Sequence, residues 1–149
     1  MDTTLPCWSK NSRTELLEKI RHRQLSEVAF SDTDASGWTH FSKILGYVEN
    51  TEHGFFSSIG IPVFDLAQGG WPRAHIRCDY RSPLRFQEGF EVRLYLKKIG
   101  SSSIHWQFEI VKADTTLVAE GEMVSVKVDS TGTPTAITEA ERTKLLPEL

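Results

Sequence analysis

The sequence predicts an α+β fold in which one long helix packs on a mostly antiparallel sheet of five strands. Apolar residues recur at every third or fourth position between residues 41 and 59, as in a helix with one buried face. Beyond residue 72, four segments alternate apolar and polar side chains, which is the period of a β-strand. The connections between these segments are short, so neighbouring strands are expected to run antiparallel.

The composition excludes several classes of function. The chain of 149 residues fits one domain, and its 39% hydrophobic and 25% charged residues are typical of a packed globule. The net charge of −3 gives no reason to expect nucleic acid or an acidic membrane as a partner. The two cysteines, Cys7 and Cys78, lack metal-type spacing, so no metal site is expected. Neither a membrane-spanning run nor a signal-peptide core is visible, which favours a cytoplasmic protein.

The chain is expected to consist of an N-terminal extension, 1–25, and one domain, 26–149. A capping-box pattern predicts a short helix over 13–23 in the extension. A second capping box, which begins at Thr138, predicts a short C-terminal helix that Pro147 ends.

The strands are predicted from their alternation and their turns. The first is expected at 26–31, with Val28 and Phe30 on one face, and Thr39 is the expected N-cap of the long helix. A change of face near Gly121 predicts a bulge in the last strand. The later strands are predicted over 72–82, 90–97, 104–110 and 116–128, and 62–71 is expected to be a loop.

The turn before the long helix carries two carboxylates, Asp32 and Asp34, followed by Gly37. The first turn of a helix presents unpaired N–H groups and a partial positive charge, which can stabilise an anion. A carboxylate beside that end is suited to be a general base or a nucleophile. The alternative is that either aspartate only makes an Asx-turn or caps the helix.

The order of these elements, with the turn DTDASG at residues 32–37 leading into the helix, resembles the hotdog-fold acyl-CoA thioesterases of the 4-hydroxybenzoyl-CoA type. The likeness covers residues 26–128 and includes the segments 80–84 and 97–103. It implies a hotdog fold and an enzyme that hydrolyses an acyl-CoA, with an aromatic or medium-chain acyl group among the options. It implies no separate cofactor, since CoA arrives as part of the substrate.

In that family the second aspartate of the turn is the catalytic carboxylate, and a backbone N–H at the start of the helix faces the thioester carbonyl. The resemblance therefore assigns these roles to Asp34 and to the N–H of Phe41. Thioester hydrolysis develops negative charge on the carbonyl oxygen, which a helix N-terminus stabilises. The carboxylate either attacks the carbonyl, giving a mixed anhydride, or activates a water molecule, and the sequence leaves both routes open.

His40 and Glu49 are further candidates. Several relatives have a histidine where Phe41 stands, and His40 lies about 100° away around the helix. His40 either assists catalysis or is a polar residue of the first helical turn. A separate group of hotdog thioesterases takes its carboxylate from this helix, so Glu49 either supplies the carboxylate or lies at the surface. Glu52 and His53 are expected on the polar side of the helix.

The family binds the nucleotide of CoA with basic and small polar residues at the rim of the site. Lysines neutralise phosphates and the N–H groups of a turn bind them, although a solvated hairpin end is the alternative. Phe55, Phe56, Trp71 and the loop 61–70 are candidates for the acyl pocket, or else belong to the core. The candidate CoA-binding residues are Lys97, Lys98, Ser101, Ser102 and Ser103.

The resemblance also implies a homo-oligomer, a dimer or a tetramer built as a dimer of dimers, with the site at a subunit interface. Two other functions stay open. One is a non-catalytic acyl-CoA binding module, which has no need of the Asp34 carboxylate. The other is a hotdog dehydratase acting on 3-hydroxyacyl thioesters, which requires a histidine and a carboxylate across the interface.

Overall fold

The computed structural model describes residues 20–146, and two helices and seven strands lie in this part of the chain. The helices are α1 (Phe41–Ser58) and α2 (Glu139–Leu145). The strands are β1 (Ile20–Glu27), β2 (Phe64–Asp65), β3 (Gly69–Gly70), β4 (Arg73–Tyr80), β5 (Gly89–Ile99), β6 (Ser103–Lys112) and β7 (Leu117–Val126).

Five strands form one sheet in the order β1-β5-β6-β7-β4, and all neighbours in it run antiparallel. The short connections of β5 to β6 and of β6 to β7 make these pairs adjacent, as their hairpin turns require. The predicted five-stranded antiparallel sheet with a helix is therefore confirmed. The strand β4 lies at one edge, with no described strand on its outer side.

The first strand was placed too late by the sequence pattern. It begins at Ile20, so residues 20–23 of the predicted helix are strand, and residues 13–19 lie outside the described part. The expected boundary after residue 25 falls inside β1. The strand β1 is exposed or half-exposed and consists mostly of polar residues, so its sequence lacks clear alternation. Val28 is buried, whereas Phe30 lies in a 3₁₀ turn and is 75% exposed.

Two other local predictions are wrong. The segment 62–71 is not an open loop, because β2 and β3 pair in it as a small hairpin. His40, not Thr39, is the N-cap of α1, and the Thr39 hydroxyl instead donates to the Leu84 carbonyl at 2.8 Å. The short helix α2 begins with the predicted capping box of Thr138 and Glu141.

The irregularity of β7 lies at Val118, not at Gly121. Ile110 pairs with Ala119 and Val111 with Leu117, which leaves Val118 without an opposite residue on β6. Gly121 is in regular register, and a Cβ there would overlap the Arg77 carbonyl oxygen of β4. The glycine therefore permits a close approach of two strands instead of marking a bulge.

The core lies between α1 and one face of the sheet. Phe55 and Phe56 of α1 are fully buried, and their rings meet Trp106 of β6 edge to face at 5.5 and 6.4 Å. Trp71 stacks on Phe56 at 5.2 Å. At the other end of the helix Phe41 is 62% exposed. The helix α1 is thus anchored in the core from Ile44 to Phe56, while its first residue lies at the surface.

Candidate active site

The aspartate turn is a closed loop that joins the 3₁₀ turn to α1. Thr33 and Thr39 pair as an antiparallel bridge, and the Asp34 N–H donates to the Trp38 carbonyl at 3.0 Å. Gly37 adopts a φ of +81°, a conformation that glycine adopts without strain. Asp34 is consequently presented at an exposed position on a loop whose backbone is fixed.

The Asp34 carboxylate is held by Ser36. Its Oδ1 accepts hydrogen bonds from the Ser36 hydroxyl and from the Ser36 N–H, the latter at 2.8 Å. These hydrogen bonds stabilise the ionised form and lower the pKa of Asp34. The Asx-turn foreseen as an alternative is therefore present. The second carboxylate oxygen of Asp34, Oδ2, takes no part in these two hydrogen bonds.

Asp32 has a different role in the same turn. Its Oδ2 accepts from the Tyr47 hydroxyl at 2.7 Å, and Lys43 Nζ lies 4.0 Å from its Oδ1. Its carbonyl accepts from the His40 N–H at 2.8 Å. Burial, together with the bond to Asp32, raises the pKa of Tyr47. Asp32 thus ties the turn to the first half of α1.

The start of α1 is capped by His40. Its Nδ1 accepts from the Ser42 N–H at 3.3 Å and lies 2.7 Å from the Ser42 hydroxyl, and its carbonyl accepts from the Lys43 N–H at 2.9 Å. Within the described residues, no acceptor is recorded for the Phe41 N–H. The first N–H of the helix is therefore the one left for a ligand.

An open cavity of about 320 Å³ adjoins this helix end. Its walls are mainly apolar and aromatic, and they come from the start of α1, the end of β4 and the segment that follows it. Asp34 is not among the lining residues within a single chain. The lining residues are Trp38, Thr39, Phe41, Ile44, Tyr80, Arg81, Ser82, Pro83, Leu84 and Val118.

Two glutamates of α1 differ sharply in environment. Glu49 is half-exposed, and its Oε2 lies 3.4 Å from Arg73 Nη1. Glu52 is fully buried, with Oε1 accepting from Arg73 Nη2 at 2.8 Å and Oε2 from the Ser125 hydroxyl at 2.6 Å. Burial raises the pKa of Glu52, an effect that Arg73 opposes. The expectation that Glu52 lies on the polar side of the helix is therefore wrong. The neighbouring His53 is half-buried, and this burial lowers its pKa.

The sequence contained a signal for the buried position of Glu52. Glu52 follows the buried Val48 by four residues and precedes the buried Phe56 by four, so it belongs to the apolar stripe. A buried carboxyl group is tolerated when it is protonated or paired with a cation, and the pairing cation here, Arg73, lies at the start of β4.

The candidate CoA-binding residues lie at the β5–β6 hairpin. Lys97 and Lys98 are exposed, and Lys97 falls at a shift of register. The carbonyls of Ser101 and Ser102 accept from the backbone of the C-terminal segment, at 2.9 and 2.7 Å, and Ser103 Oγ lies 3.3 Å from His105 Nε2. None of the five candidates lines the cavity, and CoA binding by them stays a prediction.

The aromatic residues that were expected to line the acyl pocket do not line the cavity at the start of α1. Phe55 and Phe56 are core residues, and Trp71 lines a cavity of only about 30 Å³, the size of one water molecule. The cavity at the helix end contains other aromatic residues instead, Trp38 and Tyr80 beside Phe41. Residues 38 and 80 are far apart in sequence, so no local pattern indicates their proximity.

Two negative findings concern residues 20–146. No group of three or more metal-ligating His, Cys, Asp or Glu side chains comes together there. None of the helices in that range is both long and apolar enough to cross a membrane.

The sheet order and the helix on one face define the hotdog class of proteins, and solved hotdog thioesterases share the fold. The 1,4-dihydroxy-2-naphthoyl-CoA thioesterase of Synechocystis superposes with a TM-score of 0.77 at 17% identity, covering 83% of this chain and 94% of that one. The BH1999 gentisyl-coenzyme A thioesterase gives a TM-score of 0.76 at 21% identity, covering 83% and 99%.

The family follows from the sequence comparisons. Residues 28–148 match the model of the thioesterase-like superfamily. A 1,4-dihydroxy-2-naphthoyl-CoA hydrolase of Synechococcus sp. (strain CC9902) is 30% identical over 111 residues, which are 69% of this chain and 74% of that protein. The chain belongs to the thioesterase-like superfamily. The predicted class of enzyme, a thioester hydrolase, is thereby confirmed.

Proposed function

We propose that this chain hydrolyses the CoA thioester of an aromatic acid, with Asp34 as the catalytic carboxylate and the Phe41 N–H as the oxyanion donor. The observation that carries the proposal is the Phe41 N–H, which has no hydrogen-bond acceptor within residues 20–146 and belongs to a residue that lines an aromatic cavity. Asp34, whose carboxylate is stabilised in its ionised form, precedes it by seven positions. Apolar walls with a few convergent polar groups are typical of ligand sites.

In the proposed hydrolysis, the Phe41 N–H and the Asp34 carboxylate each have one role. The thioester carbonyl oxygen becomes negative as the carbonyl carbon is attacked, and the Phe41 N–H donates to it. In the nucleophilic route Asp34 forms the new C–O bond, the C–S bond breaks to release the CoA thiolate, and water hydrolyses the anhydride. In the general-base route Asp34 takes a proton from a water molecule whose oxygen bonds to the carbonyl carbon, and the C–S bond then breaks to release the CoA thiolate. Both routes require an ionised carboxylate.

The lining residues support an aromatic acyl group. A cavity of about 320 Å³ is at the lower end of ligand pockets and accommodates one or two fused rings but not CoA itself. Trp38, Phe41 and Tyr80 offer ring edges and faces to such a group. The relatives named for 1,4-dihydroxy-2-naphthoyl-CoA and gentisyl-CoA act on CoA esters with hydroxylated aromatic acyl groups, which supports the same substrate class.

The site is proposed to be completed by a second copy of the chain. Asp34 does not line the cavity within one chain. Within residues 20–146 no strand pairs with the outer edge of β4, and two of its apolar side chains, Ile76 and Tyr80, are 39% and 47% exposed. Unpaired edges of this kind pair readily with another chain. We therefore propose that two copies of the chain form a dimer through β4. A tetramer would consist of two such dimers.

The decisive experiment is thiol release from a panel of CoA esters with hydroxylated aromatic, short aliphatic and long aliphatic acyl groups. Preferential cleavage of the aromatic esters supports the proposal, and preferential cleavage of an aliphatic class contradicts the substrate assignment. Binding without thiol release would indicate the binding module. Water loss from 3-hydroxyacyl-CoA without thiol release would indicate the dehydratase. Sedimentation at the assay concentration tests the dimer.

The oxyanion role of the Phe41 N–H is tested by Phe41→Pro. Proline is tolerated at the first position of a helix, and the extended backbone of His40 (φ −63°, ψ 139°) suits a residue before proline. We expect kcat to fall by about 10²–10³-fold, since one oxyanion donor is lost. Phe41→Ala is the matched control, because it loses the same ring but keeps the N–H. Equal kcat values in the two variants would contradict the assignment.

The pH dependence of the reaction should respond to Ser36. The hydrogen bonds from Ser36 lower the pKa of Asp34, so its carboxylate stays ionised to a lower pH than that of an ordinary aspartate. Activity should therefore disappear only as the pH falls through the lowered pKa of Asp34. Ser36→Ala removes the hydroxyl donor, which raises the pKa and moves the acidic limb of kcat/KM to higher pH. In the control Thr131→Ala, a similar hydroxyl bond to Asp129 is lost in a remote turn, and the limb should stay in place. An unmoved limb in Ser36→Ala would count against Asp34 as the titrating group.

A further inference from the structure

The peptide that joins Phe41 to Ser42 is held at both of its polar groups. Its N–H, which belongs to Ser42, donates to His40 Nδ1 at 3.3 Å. Its carbonyl, which belongs to Phe41, accepts from the Tyr80 hydroxyl at 3.0 Å. The second bond joins the first turn of α1 to the last residue of β4, across 39 positions of sequence.

We infer that Tyr80 is a positioning residue, whose hydroxyl, together with His40, fixes the Phe41–Ser42 peptide and so restrains the adjoining His40–Phe41 peptide, whose N–H must face the substrate carbonyl. This inference rests on the proposed function. The first residue of α1 needs such support because Phe41 is mostly exposed and the core contacts of the helix begin only at Ile44. A small misplacement of a group that must meet the developing charge is costly to the rate.

Tyr80 is suited to this role by its location and its protonation state. Its ring lines the cavity, so the hydroxyl bond and the wall of the site depend on one side chain. A tyrosine hydroxyl is protonated and can donate at neutral pH, and burial raises the pKa of Tyr80 further, to about 12. Since Tyr80 ends β4, a substrate or a second copy that shifts this strand would also shift the oxyanion donor.

The test is Tyr80→Phe, which removes the hydroxyl and keeps the ring. We expect kcat to fall about tenfold, less than on loss of the donor itself, with KM within about twofold of the wild-type value. The Ser42 amide should also exchange with solvent several-fold faster in the free protein, as read by NMR. Unchanged kcat together with unchanged amide exchange would overturn the inference.

Tyr95→Phe is the matched control. It removes the buried hydroxyl that donates to Glu109 at 2.8 Å, outside the cavity lining. It should lower stability but leave kcat and the Ser42 exchange rate unchanged. A wild-type chain that cleaves no CoA ester would defeat the proposed function, while the exchange rate would still decide whether Tyr80 positions the peptide.

Discussion

The Asp34→Asn variant is expected to lose about a thousandfold of kcat for CoA ester hydrolysis while it keeps most of its affinity for the ester. An amide neither attacks the thioester carbonyl nor accepts a proton from water, and removal of such a group costs about 10²–10⁴-fold. The amide is isosteric with the carboxylate, and its oxygen can still accept from Ser36. Because Asp34 is exposed and lies outside the core, folding should be unaffected.

The matched control is Asp114→Asn. Asp114 is also exposed, accepts from a backbone N–H two residues later, Thr116, at 2.9 Å, and has its pKa lowered by its bonds to that residue. It lies in the β6–β7 turn, so its substitution should leave kcat unchanged. Thiol-release rates of both variants, with ester binding measured by calorimetry, check the prediction.

Retained turnover in Asp34→Asn would refute the assignment and would direct attention to Glu49. Glu49 is the half-exposed carboxylate of α1, and Glu49→Gln would then be the informative substitution. Where Asp34 is confirmed, rapid quenching separates the two routes. An acyl group found on the Asp34 peptide would select the nucleophilic route, because the general-base route leaves no covalent intermediate.

Periodicity predicted the elements in which one face alone is buried. The helix α1 and the central strands β5 and β6 alternate clearly because the core covers one side of each. Both edge strands, β1 and β4, are exposed or half-exposed, but only β4 alternates apolar and polar residues, whereas β1 consists mostly of polar residues and gave no periodic signal. The position of the β7 irregularity was missed because it depends on register with β6, which the sequence of one strand does not contain.

The candidate site, too, was predicted from the sequence only in part. The aspartate turn and the helix start are contiguous, so motif and resemblance together indicated Asp34 and Phe41 as candidates. The cavity wall is assembled from the helix start, residues 80–84 and Val118, which only the tertiary fold brings together. The cap was misplaced by one residue, because the N–H and the hydroxyl of Thr39 both donate to the Leu84 carbonyl and hold Thr39 in the turn, and His40 Nδ1 accepts from the helix instead.

The stability of the fold should depend strongly on Arg73, whose replacement by Met is expected to lower the free energy of unfolding by about 3–5 kcal/mol. That is the typical cost of leaving one partner of a buried ion pair without the other. Glu52 is fully buried and would keep only the Ser125 hydroxyl as a donor. Urea unfolding measures the loss, and one fixed protein concentration keeps the mass-action effect of subunit association the same for both proteins.

Arg81→Met is the control on the same edge of the sheet. Arg81 pairs with Glu120 at 3.2 Å and with Asp79 at 3.8 Å, but it is more exposed, and such pairs contribute about 0–1 kcal/mol. A loss in Arg73→Met as small as that in Arg81→Met would show that Glu52 finds another partner or water. Adding Glu52→Gln to Arg73→Met removes the unpaired charge and should recover much of the stability.

The cost of Arg73→Met should also depend on pH with a defined sign. Burial already raises the pKa of Glu52 above its ordinary value of 4.5, and loss of the cation raises it further. A group with a raised pKa in the folded state contributes stability below its unfolded pKa, and this contribution is lost as pH rises through the folded value. The difference between wild type and variant should therefore be small below about pH 4.5 and grow towards neutrality. A difference that is equal at both ends of this range would mean that the loss comes from packing of the arginine stem and not from the charge of Glu52.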